Sequence, residues 1–64
     1  MYTLAEWMGK LVKVVYEEGD NRRMVIGYIT EQIRDKIKVK DREGHMHLID
    51  LLIVRRISEC VTSA

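Results

Sequence analysis

Lys36-Ile37-Lys38-Val39-Lys40 is the stretch on which the reading of this chain turns. A β-strand sends successive side chains to opposite faces, so Ile37 and Val39 point one way and three ammonium groups the other. The stretch is therefore a half-buried strand with a basic outer face. Such a face suits a partner that carries negative charge, and it does not say which partner.

The same alternation extends upstream. Val12, Val14 and Tyr16 share one face against Leu11, Lys13, Val15 and Glu17, which predicts a first strand over Lys10–Glu17. Glu18-Gly19-Asp20-Asn21 is turn chemistry. A second strand runs from about Arg23 to Gln32 and is apolar on both faces, Val25 and Ile29 against Met24, Ile26 and Tyr28. That pattern marks a strand that is central, strongly bent or buried at an interface. Gly27 in its middle signals a bulge, a sharp bend or a close backbone approach. Arg34-Asp35 interrupts the alternation before the third strand, Lys36–Lys40.

Downstream, Asp41-Arg42-Glu43-Gly44 reads as a tight turn and His45–Ile49 as a fourth strand. Asp50-Leu51-Leu52 predicts a single 3₁₀-like turn. Ile53–Ile57 predicts a fifth strand with Ile53, Arg55 and Ile57 on one face, and the polar segment Ser58–Ala64 is expected to fray. At the other end, Thr3 and Glu6 have the spacing of a capping box and Tyr2 and Trp7 that of a hydrophobic staple. With Gly9 as a stop, these residues predict a short helix over residues 3–9. Its apolar face, Leu4, Trp7 and Met8, needs a surface to cover, because two isolated turns are unstable in water.

A short helix followed by five short strands predicts a mainly β fold, a strongly bent antiparallel sheet closing into a small barrel with the helix over one open end. Closure removes the unpaired edges of an open sheet. A three-stranded sheet covered by one helix is the alternative. Sixty-four residues make one domain, residues 1–64, with the helix at 3–9, the barrel at 10–57 and the tail at 58–64. A chain this short buries only roughly 60% of its unfolded surface, so an additional source of stability is expected. Cys60 is the only cysteine, which excludes an internal disulfide, and no Cys/His zinc pattern is present. Oligomerisation is the remaining source. The lone cysteine fits a reducing cytosol, there is no signal-peptide pattern, and no apolar run approaches the ~20 residues of a membrane span. A cytoplasmic protein with no membrane partner is the expectation.

Eleven basic and ten acidic residues leave a net charge of +1, so the chain is not a polycation. The charge is unevenly placed. Arg34–Arg42 holds five basic and two acidic residues, an excess of +3, and Arg22-Arg23 and Arg55-Arg56 add basic pairs. A solvated face that aids solubility would look the same. No nucleophile–base pair, glycine-rich phosphate loop or paired-carboxylate motif appears, so neither an enzyme nor a cofactor is expected. His45-x-His47 places two imidazoles on one strand face, a spacing able to chelate a metal, but a third ligand would have to fold back from Asp50 or Cys60. Exposed histidines beside a turn are the expectation, with no metal site.

The order helix, Val12-x-Val14-x-Tyr16, Gly27-x-Ile29, Ile37-x-Val39-x-Asp41-x-x-Gly44, then Leu48 through Ile57, resembles the Sm-like barrel family. The layout is similar to bacterial Hfq, to YolD-like domains and to the small Sm-like inhibitor of the Rho terminator, and SH3-type barrels share much of it. The resemblance covers about residues 3–57. It implies an Sm/SH3-like barrel, rings built by edge-strand pairing, and binding of single-stranded RNA. The family's base-holding residues do not carry over. Gln32-Ile33-Arg34-Asp35 is shorter than the corresponding Sm loop and has no Asn. Ile49-Asp50-Leu51 stands where Sm proteins have Arg-Gly or Lys-Gly, and His45 and His47 precede the position of the Tyr-Lys-His run of Hfq.

Two functions remain open. The first is a non-catalytic nucleic-acid-binding module, RNA favoured over DNA, in which Lys36, Lys38, Lys40 and Arg42 contact phosphates with support from Arg55 and Arg56. Tyr28, beside Gly27, is its candidate stacking group; Trp7 fits a core plug better. The second is a protein-interaction or regulatory barrel docked on a larger partner. Met24, Ile26, Val15, Leu51 and Val54 exceed what a barrel of this size can bury, which points to a subunit or partner interface.

Overall fold

A computed structural model describes residues 4–60. Tyr2 and Thr3, and with them the expected capping box and staple, lie outside the described residues. The first element is a single 3₁₀ turn, Leu4–Trp7, shorter than the expected helix. Leu4 is buried, and Trp7 packs against the core. Gly9, at φ 80°, turns the chain into the sheet.

Five antiparallel strands form one sheet: β1 Leu11–Glu18, β2 Asn21–Ile33, β3 Lys36–Asp41, β4 Met46–Asp50 and β5 Val54–Glu59, in the order β4-β3-β2-β1-β5. The sheet is not closed, and β4 and β5 are its edges. Its inner face carries the core: Val12, Val14, Val25, Ile29, Ile37, Val39, Ile49, Val54 and Ile57, joined by Leu4. Val12, Val14, Ile37 and Val39 have no exposed surface. Burying each such side chain stabilises the fold by about 1.5–3 kcal/mol relative to leaving it in water. The alternation of β1 and β3 therefore reads through directly into packing. Tyr16, Leu51 and Ile53 close the rim of this core.

Three features depart from simple alternation. Between Ile29 and Glu31 the β2–β3 register slips, leaving Thr30 unpaired in a bulge. The bulge turns Glu31 outward to stand opposite Lys38, where period-two counting would place it inward. A second slip lies between Val15 and Tyr16, which pair with Arg56 and Val54. Arg55 is the extra residue, so Val54 and Ile57 are the buried pair of β5, and Ile53 belongs instead to a 3₁₀ turn, Leu51–Ile53. The expected face of Ile53, Arg55 and Ile57 is corrected accordingly. The third departure is at the C-terminus. β5 extends to Glu59, and the Cys60 N–H donates to the Leu11 carbonyl at 2.8 Å, so residues 58–60 are anchored, not frayed, while the rest of the expected tail, residues 61–64, lies outside the described residues.

Turn chemistry sets the register. Glu18 pairs with Asn21 across Gly19-Asp20, with Gly19 at φ 63°, and Ile33 pairs with Lys36 across Arg34-Asp35. Asp50 caps the second 3₁₀ turn, its carboxylate accepting from the Leu52 N–H at 2.9 Å. The Leu51 N–H donates to the Asp35 carbonyl at 2.7 Å, tying this turn to the β2–β3 hairpin.

Candidate functional site

The described residues enclose no pocket, and no three of their His, Cys, Asp or Glu side chains are placed to hold a metal together. The candidate site is a surface, the outer face of the sheet. Register places its residues in lines that run across the strands. Leu11, Tyr28, Lys40 and Met46 form one line over β1, β2, β3 and β4. Glu31, Lys38 and Leu48 form the next line toward the β2–β3 hairpin. In the other direction Ser58, Lys13 and Ile26 form a line over β5, β1 and β2, followed by Arg56, Val15 and Met24.

The expected basic residues are divided between paired and unpaired states. Lys36 Nζ lies 3.9 Å from Asp35 Oδ1, and Lys38 Nζ lies 3.6 Å from Glu31 Oε1. Arg55 Nε donates to Glu17 Oε1. Among the described residues Lys40, Arg42 and Arg56 make no ion pair. The lysine pairs are exposed, and such pairs contribute about 0.2–1 kcal/mol, so a phosphate can compete for them at small cost. Tyr28 is 49% exposed on the strand next to β3, with Lys40 directly across from it. An aromatic ring and an ammonium group thus stand side by side on one outward line. Lys13, absent from the expected set, belongs to the same face and makes no ion pair among the described residues. Its alternation with Val12 and Val14 shows that it points outward. The β1–β2 register, which the sequence does not specify, is what brings it near Tyr28.

The histidine pair finds its partner in the turn and not in Asp50 or Cys60. Asp41 Oδ1 accepts from the backbone N–H groups of Glu43 and His45, both at 2.9 Å. Its Oδ2 lies 2.7 Å from His47 Nε2. A carboxylate only accepts, so Nε2 carries the proton and His47 donates. His45 Nδ1 stands 3.8 Å from the same oxygen on a mostly exposed side chain. The hydrogen bond from His47, with those from the His45 and Glu43 backbone and the nearby His45 charge, holds the Asp41 carboxyl below its usual range, although partial burial pulls the other way. This arrangement is a clasp that closes the β3–β4 hairpin.

The apolar residues expected to be surplus divide too. Val54 is core, Leu51 packs against the core, and Val15 and Ile26 are half-buried, while Met24 is exposed. Met46, Leu48 and Leu52 are exposed as well, Leu52 by 79%. Met46 and Leu48 alternate with His47 and the buried Ile49, which puts them on the outer face of the sheet, and β4 has no further strand beside it among the described residues. Among the described residues no helix is long and apolar enough to cross a membrane. No protein-family model matches the chain, and neither does any curated protein.

Proposed function

We propose that this protein is a non-catalytic nucleic-acid-binding module, RNA favoured, built on a small Sm/SH3-like barrel that works as an oligomer. The observation that carries the reading is the line of Tyr28 and Lys40, directly opposed on β2 and β3 and both facing out. Lys38 follows one line further along the same strand. Lysines on a strand face contact phosphates without reading sequence, and an adjacent aromatic ring offers a base a stacking surface. Lys36, Arg42, Arg55 and Arg56 extend the positive surface around this centre. The barrel reading is supported by the 3₁₀ turn between β4 and β5 and by the close backbone approach at the glycine in the middle of a long β2.

Salt titration tests the function. Each neutralised phosphate steepens the fall of log affinity with log salt by roughly 0.7–0.9. Binding of a mixed-sequence oligonucleotide should therefore weaken steeply with salt, and the slope should flatten in a Lys36/Lys38/Lys40 triple-Gln variant. An unchanged slope removes the β3 lysines from the site.

A second reading, a regulatory barrel docked on a larger protein, is favoured by the exposure of Leu52 and of Met46 and Leu48 on the β4 edge. A defined protein partner that stays bound after nuclease treatment, and is lost in Leu48→Lys, would select it.

A further inference from the structure

The charge on the outer face is not confined to β3. Arg56, Lys13 and Lys40 stand on three successive lines of the sheet, on β5, β1 and β3, so that they form a diagonal across it. With strands ~4.8 Å apart and two residues of ~3.4 Å rise between lines, the diagonal steps are roughly 8 Å and 12 Å along the sheet surface. None of the three makes an ion pair among the described residues. On these lines and the next, the one carboxylate is Glu31, and Lys38 neutralises it at 3.6 Å. Glu17, beyond the Arg56 end, is engaged by Arg55. The track therefore offers cations with no anion of the protein to displace, and Tyr28 lies beside Lys40 where the track passes it.

We infer that a single-stranded polynucleotide crosses the sheet along Arg56, Lys13 and Lys40, with one base stacked on Tyr28. This rests on the nucleic-acid reading above and adds to it a path across the sheet and one binding residue, Lys13 on β1. A duplex keeps its bases stacked on each other and cannot present a face to Tyr28, whereas a single strand can. The cations on β5 and β1 bind phosphates as point charges and carry no sequence information, so the track recognises a strand and not a base order.

The test uses the whole chain and a fluorescently labelled mixed-sequence 12-mer as RNA, as DNA and as duplex DNA, read by anisotropy over a salt series. Both single strands should bind more tightly than the duplex. The tighter of the two identifies the natural chemistry as RNA or DNA, and either result carries the inference. Lys13→Gln and Arg56→Gln should each flatten the single-strand salt slope by roughly 0.7. Tyr28→Leu should weaken single-strand binding roughly 5- to 150-fold while Tyr28→Phe keeps it, the range expected for loss of one stacked base. Unchanged circular dichroism and urea midpoints would show that these surface variants fold. If the chain binds oligonucleotides but Lys13→Gln, Arg56→Gln and Tyr28→Leu leave binding untouched, the track is wrong and the nucleic-acid reading stands. Duplex binding as tight as single-strand binding also overturns it. Failure of every oligonucleotide to bind removes both.

Discussion

A side chain on Gly27 would collide with the carbonyl oxygen of Lys40, lying 2.8 Å from that carbonyl carbon and 2.9 Å from the Asp41 Cα. All three are backbone atoms, so no side-chain rotation can make room. Gly27 pairs with Val12 on one side and Asp41 on the other, and its missing Cβ lets β2 bend closely over β3. Gly27→Ala must push the strands apart at the centre of the sheet, and overpacking of this kind costs about 1–3 kcal/mol. A Cβ on Gly44, at φ 87°, would meet nothing within 4 Å, so Gly44→Ala gives a control in which only backbone strain changes. Urea unfolding should place the Gly27→Ala midpoint well below that of Gly44→Ala. Equal midpoints would mean that the close approach does not constrain the sheet. The sequence signal for this residue was good, because glycine inside a strand has few explanations. What it touches depended on the register of three strands, which no local pattern encodes.

Among the elements, the β3–β4 hairpin shows what was legible and what was not. The alternation of Lys36–Lys40 gave the strand and its buried face, since Ile37 and Val39 are fully enclosed. The two bulges were not legible, because a single added residue leaves composition unchanged and reverses the faces after it. One bulge places Glu31 against Lys38 and the other places Arg55 near Glu17, so each alters the electrostatics of the candidate site. The role of Asp41 was equally hidden, since its partners His45 and His47 meet it only once the turn is closed. Its hydrogen bonds give the hairpin an acid dependence with a definite sign. The folded-state pKa of Asp41 lies below the ordinary value of 3.8. Its contribution is therefore fully present above that value and is lost as pH falls through the lower folded-state value. Asp41→Asn should lower the urea midpoint at pH 7 and show a shallower decline than the parent as pH falls below 3.8. If parent and variant decline in parallel, the clasp contributes nothing to acid stability.

For the whole molecule, the balance of buried and exposed apolar surface argues for a further interface. Ten apolar residues form the described core, while Met24, Tyr28, Met46, Leu48 and Leu52 each leave about half or more of their surface in water. A 64-residue chain has little stability in reserve. Among the described residues β4 and β5 have no partner strand on their outer sides, so they offer backbone groups that another chain can satisfy. Pairing at the edges would extend the sheet from chain to chain, cover Leu48 and Met46 on β4, and leave the middle of the outer face on β1, β2 and β3 open. Self-association and polynucleotide binding should then be compatible. Native mass spectrometry at micromolar protein should show an oligomer that keeps its subunit number when mixed oligonucleotide is added and retains the oligonucleotide in the same ion. Leu48→Lys, at the edge, should reduce the assembly to monomer while each monomer still binds a strand with weakened avidity. An oligonucleotide that strips the assembly to monomers would place the subunit contact on the outer face itself. A chain that stays monomeric throughout would leave the exposed apolar surface to a different protein.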